Sequence, residues 1–149
     1  VKVKELEKDV DGTKKITESL LKHTLKIKQA ILETPELSYD VMQKAIDIEK
    51  ELNDIMFKFE GVQPKASFEE VPPAKFPIEE RMYTIIEPHS ESTSAITQMQ
   101  KDSYAIIVEE LKPILEKLEK IEHTDLKQLE DVLENAGAPW TPGRLPKLD

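Results

Sequence analysis

The residue types in this 149-residue chain that invite metal ligation or acid–base work are three histidines and a surplus of carboxylates; there is no cysteine. A di-iron helical bundle sets Glu-x-x-His on facing helices, so that both ligands project from one turn into the core. Leu20 stands three before His23 and Lys120 three before His123, so neither histidine has that partner. The stretch "EPHSE" gathers Glu87, His89 and Glu91, but in an expected loop with no second cluster, so no metal ligand is assigned. The adjacent carboxylates Glu79–Glu80 and Glu109–Glu110 follow from an acidic composition. A glycosidase pair must face one cleft at a set separation. Helices with leucine and isoleucine stripes offer none, so no catalytic residue and no cofactor is assigned.

The elements behind these residues are read from charge, punctuation and period. A net charge of −9 repels a phosphate backbone and an anionic membrane surface. No apolar run approaches the roughly 20 residues that cross a bilayer. Disulfides and thiolate chemistry are excluded, which leaves the compartment open. The chain starts at Val1 with no initiator methionine or leader, and is expected to be a piece of a larger protein. Its glycines, Gly12, Gly61, Gly137 and Gly143, are expected to lie outside helices, and of the prolines only Pro113 is expected inside one.

Residues 1–12 read as a lead-in from a preceding domain; Val1 and Val3 alternate, but a lone strand has no partner here. A first helix is expected from Thr13 as N-cap to Thr34–Pro35, with Ile16, Leu20, His23, Ile27 and Ile31 on one face. Ser38 should cap a second, with Val41, Ala45, Ile48, Leu52, Ile55 and Phe59 as its stripe and Gly61 as its stop. Similar lengths and a short link predict a hairpin. Residues 62–77 form a proline-rich crossover anchored by Val62, Phe68, Val71 and Phe76. A short helix from Pro77 or Ile78 presents Ile78, Met82 and Ile85 and stops at Pro88, before a polar loop.

Thr97 and Gln100 form a capping box for a long helix to His123, with Tyr104, Ile107, Leu111, Ile114, Leu118 and Ile121 inward. The stripe keeps its phase across Pro113, which predicts one kinked helix. Thr124 caps a last helix with Leu126, Leu129 and Leu133 inward and Gly137 as its end. Lys112–Glu116 and Glu116–Lys120 are spaced to pair on a wet face, and Met42, Met56, Met82 and Met99 read as gap fillers. The fold expected is all-α: an antiparallel up-down bundle over 13–137, with three long helices and one or two short ones. It carries an extended tail over 138–149. That tail is expected to close on the bundle, with Trp140 as buried anchor, Pro142 and Gly143 shaping it, and Arg144 reaching a carboxylate or the last helix's carbonyls; the alternative is a docking strap whose Trp140 is exposed and packs on an absent domain.

The segment "DLKQLEDVLENAGAPWTPGRLPKLD" resembles the C-terminus of large exported bacterial proteins. These are the sortilin-like β-propellers with bacterial-neuraminidase repeats, often labelled glycosyl hydrolases. Leu126, Leu129, Leu133, Gly137, Pro139, Trp140, Pro142, Gly143, Arg144 and Pro146 match the family's pattern, and Arg81, Ser92 and Thr97 hold upstream places. The resemblance spans 13–149 and is specific in the tail. Ile96 departs from it, standing where the family has proline before the long helix. The propeller would carry any glycosidase or ligand chemistry, and no propeller is present, so no active site transfers. The resemblance implies a non-catalytic C-terminal helical domain of an exported protein (periplasmic, cell-surface or secreted), packing against the propeller and a preceding β domain. The alternatives are a module that binds an envelope protein or polymer, or an accessory part of a glycosidase whose active site lies elsewhere.

Overall fold

Threonine, not only leucine, sets the first helix. In the computed structural model, which describes residues 2–61, 76–91, 98–145 and 148 and only the backbone of 87–91, α1 runs Lys2–Leu32. Its buried seam is Leu6, Val10, Thr13, Thr17, Leu20, Thr24, Ile27, Ile31 and then Thr34 just beyond its end, with Ala30 buried beside it. They alternate in steps of four and three, the spacing of a seam between packed helices. A buried hydroxyl is costly unless bonded. Thr13, Thr24 and Thr34 each donate to the carbonyl four residues back, at 2.6 Å to Asp9, 2.8 Å to Leu20 and 2.8 Å to Ala30. The expected start at Thr13 is therefore corrected: Thr13 lies inside the helix, which begins eleven residues earlier at Lys2. Gly12 is also inside it. A mid-helix glycine costs about 1 kcal/mol against alanine, an amount offset by burying Leu6 and Val10 in the turns before it. Ile16, expected inward, is 46% exposed, and Thr17 takes that place.

After α1 the chain turns through Thr34 N–H to Ile31 O and Leu37 N–H to Thr34 O, and Ser38 precedes α2, Tyr39–Glu60. Ala45, Ile48, Leu52, Ile55 and Phe59 are buried as expected, while Val41 is half-buried. Gly61 closes α2 at φ 75°, its N–H donating to Phe57 O. A Cβ there would stand 2.6 Å from Pro77 Cγ, so Gly61 and Pro77 meet at the two ends of 62–75. The crossover anchors Val62, Phe68 and Val71 lie outside the described residues; Phe76 is 46% exposed and stacks under Arg81.

α3, Ile78–Glu91, buries Ile78, Met82 and Ile85. It runs through Pro88, which was expected to end it, so Glu87, His89 and Glu91 are helical rather than in a loop. Thr97 lies outside the described residues. α4, Gln98–Lys120, is unbroken across Pro113 and buries Ile107, Leu111, Ile114 and Leu118, with Tyr104 half-buried. The expected break at Thr124 is absent. A π-helical turn, Ile121–Asp125, joins α4 directly to α5, Leu126–Asn135. Leu126 N–H bonds Ile121 O five residues back, and Asp125, just before α5, is itself helical at φ −66°, whereas an N-cap is not. The extra residue explains the inward stripe, which steps by five from Ile121 to Leu126. Met82 is buried, Met42 and Met56 are half-buried, and Met99, expected inward, is 72% exposed. Lys112 pairs with Glu109 at 3.0 Å and Lys120 with Asp125 at 4.0 Å, not with Glu116.

The fold is an all-α helical bundle, with no strand among the described residues. It divides into two compact units, Val1–Lys15 with Asp54–Leu115, and Ile16–Asn53 with Glu116–Asp149. In the first, the buried set comes from α1, α2, α3 and α4, and Lys14 bonds Glu79 while lying 3.1 Å from Glu60. In the second it comes from α1, α2, the end of α4, the π turn and α5, and Lys28 bridges α1 to Glu49 of α2 at 3.1 Å. No described helix is long and apolar enough to cross a membrane.

Candidate functional site

A cluster of bonded polar groups lies in the second unit, where α5 gives way to the tail. α5 ends because Gly137 adopts φ 70°. Ala138 N–H then reaches Leu133 O at 3.0 Å and Gly137 N–H reaches Glu134 O at 3.2 Å, a paired closure that satisfies carbonyls the helix leaves open. Beyond it every third residue turns inward: Ala138, Thr141 and Arg144 are buried.

Arg144 ties this corner together. Its Nε and Nη2 both donate to Glu134 Oε2, at 3.0 and 2.7 Å. Nη2 also donates to Ala138 O at 3.1 Å, and Nη1 to Pro139 O. One planar fork thus serves a carboxylate on the last turn of α5, one of the two partners expected of this arginine, and two carbonyls of the tail rather than of the helix, and its side chain is 5% exposed. The Arg144 carbonyl in turn accepts the Trp140 indole N–H at 2.8 Å.

Trp140 is not the buried anchor expected of it; 62% of it is exposed. It falls between the inward positions, and its N–H bonds the tail's own backbone, which leaves the ring outside. Leu145 and Leu148 are more exposed still, at 85% and 95%. Pro142 is half-buried, and Gly143 sits at φ 93°, a conformation that favours glycine. A Cβ on Gly143 would stand 2.7 Å from Glu130 Oε1 and 2.9 Å from His23 Cε1, so glycine lets the tail lie against these two side chains.

His23 of α1 and Glu130 of α5 are the residues below. Their Nε2 and Oε1 are 3.0 Å apart, with side chains 20% and 8% exposed. The contact is close enough for an ion pair, but His23 Nε2 is not aligned for a hydrogen bond. Sequence reasoning placed His23 on a core stripe and passed over Glu130 and Glu134. A signal was there: Glu130 sits beside Leu126, Leu129 and Leu133 on the apolar face of α5, where a carboxylate is rarely buried without a partner. Among the described residues no three histidine or carboxylate groups stand close enough to hold a metal ion. Ser92 and Thr97, which hold family places, lie outside the described residues, and Arg81 belongs to the first unit.

The site and fold define the class as an all-α bundle with a polar-clasped tail. No protein-family model, curated protein or solved structure matches the chain.

Proposed function

We propose that the chain is a non-catalytic helical domain whose C-terminal tail is a docking strap, seated on a β-propeller of the kind its tail resembles. Exported location and a preceding β domain belong to the same proposal. The observation that carries it is the exposure of Trp140 on a tail whose backbone is otherwise tied down. Single exposed apolar residues are ordinary on protein surfaces. Trp140, Leu145 and Leu148 instead share one short strap. Tryptophan is the residue type most often found at the energetic centre of an interface, and a strap already ordered by Arg144 loses less entropy on docking than a free tail. His23 and Glu130 have a structural part in this scheme, supporting Gly143 from below.

The test is made in the full-length parent. Trp140→Ala with Leu145→Ser should leave the helical domain folded but loosen it from the propeller. Limited proteolysis should then cut between the two domains faster, and small-angle scattering should show a more extended particle. Unchanged cleavage and scattering in that variant would overturn the docking role.

A further inference from the structure

The groove beside the clasp has an unusual charge arrangement for so acidic a chain. It is an open groove of about 530 Å³, lined by Lys22 and Lys26 of α1, Lys127 of α5, the His23–Glu130 pair, and Glu122 and His123 of the π turn. Two carboxylates share the groove with the lysines, Glu130 at 3.0 Å from His23 and Glu122 at 3.8 Å from His123. Among the described residues, Lys22, Lys26 and Lys127 have no carboxylate within 4.0 Å. Lys15, Lys28, Lys112 and Lys120 each have one and Lys14 has two, while eight other described lysines, Lys4 and Lys8 among them, also have none. What sets Lys22, Lys26 and Lys127 apart from the other lysines without such a partner is that all three line one concavity.

We propose that this groove binds a small polyanion bearing phosphate groups. Lys22 and Lys26 stand one turn apart on α1, and Lys127 comes from a second helix, so a ligand held between them meets ammonium groups from both. Each lysine offers three N–H donors and a compact charge, which suits phosphate oxygens. The volume lies in the range of small-molecule sites. A nucleic-acid strand is a poor fit, because its backbone would extend from one cationic groove over a surface that repels it. The π turn contributes directly to the site, since Glu122 and His123 both belong to it; such turns recur where helices carry function.

The experiment titrates pyrophosphate into the protein and follows histidine ring and backbone resonances, with chloride and citrate titrations at matched ionic strength. Saturable shifts at Lys22, Lys26, His123, Lys127 and Gly143 are expected, with citrate at least tenfold weaker and chloride without effect. K22E/K127E should weaken pyrophosphate at least tenfold. K4E/K8E, which changes net charge equally in the other unit, should bind as the parent does. Unfolding midpoints establish that both variants are folded. Equal shifts with chloride, equal weakening in both variants, or citrate binding as tightly as pyrophosphate would each overturn the proposal.

Discussion

Arg144 and Lys14 are both cations that gather more than one acceptor, yet they work in opposite ways. Lys14 bonds Glu79, in the first turn of α3, and lies 3.1 Å from Glu60, the last residue of α2. The side chains are 21%, 42% and 33% exposed. That cluster draws helix ends together through a point charge, and water and salt screen it. Arg144 is 5% exposed, and its fork is matched to one carboxylate oxygen and two carbonyls whose positions it fixes. The first cluster adds attraction between elements. The second specifies a conformation, because removing it takes the donor from the buried Ala138 carbonyl and releases the tail from Glu134.

The largest expected effect follows from that contrast. Arg144→Ala should lower the unfolding free energy by about 3 kcal/mol in urea denaturation, the cost of taking the fork away from a partly buried carboxylate and two carbonyls. Arg144→Lys should recover less than half of it, since an ammonium cannot reproduce the fork. A full recovery would make the two clusters equivalent.

Gly143→Ala comes next. A positive φ costs an L-residue about 1–2 kcal/mol, and Glu130 must also move from a contact of 2.7 Å, so about 2 kcal/mol is expected. The companion Gly137→Ala should show the backbone cost alone, because nothing lies within 4 Å of its Cβ.

Lys14 should matter less and in a pH-dependent way. Its bond to Glu79 holds its pKa above the ordinary 10.5, against the opposing effect of burial and with Glu60 adding to it. A raised folded-state pKa stabilises fully below the unfolded value and is lost as pH rises through the folded one. Lys14→Met should therefore cost at most about 1 kcal/mol near neutrality. The gap to the parent should close above pH 10.5 and shrink in high salt. A gap that persists at alkaline pH would mean that Lys14 acts through its methylenes.

The helical stripes were legible because apolar spacing alone reports them: Ala45 to Phe59, Ile107 to Ile121 and Leu126 to Leu133 are buried as the period requires. Threonine was the main source of error. Thr13 and Thr124 looked like caps, yet a hydroxyl can bond the carbonyl four residues back and stay within a helix, as Thr13 does. The break expected at Thr124 is instead a π turn, and the step of five from Ile121 to Leu126 is its mark in the sequence. In the tail, the reach of Arg144 to a carboxylate follows from its chemistry and was legible, whereas the carbonyls it bonds are those of the tail rather than of the helix. The exposure of Trp140 was not, because size makes burial favourable only where a surface is there to receive the ring, and the tail's inward positions fall on its neighbours.

The smallest stability effect should be that of Trp140→Ala, under about 0.5 kcal/mol in the isolated domain. The central claim is that the tail is held from its polar side and leaves its aromatic side free. Because Trp140 is the sole tryptophan, its own fluorescence tests this most directly. In the native domain its emission should be solvent-like, and acrylamide should quench it nearly as well as in urea, while Arg144→Ala should leave both unchanged. A blue-shifted emission shielded from acrylamide would contradict the account and restore Trp140 as the anchor of the clasp.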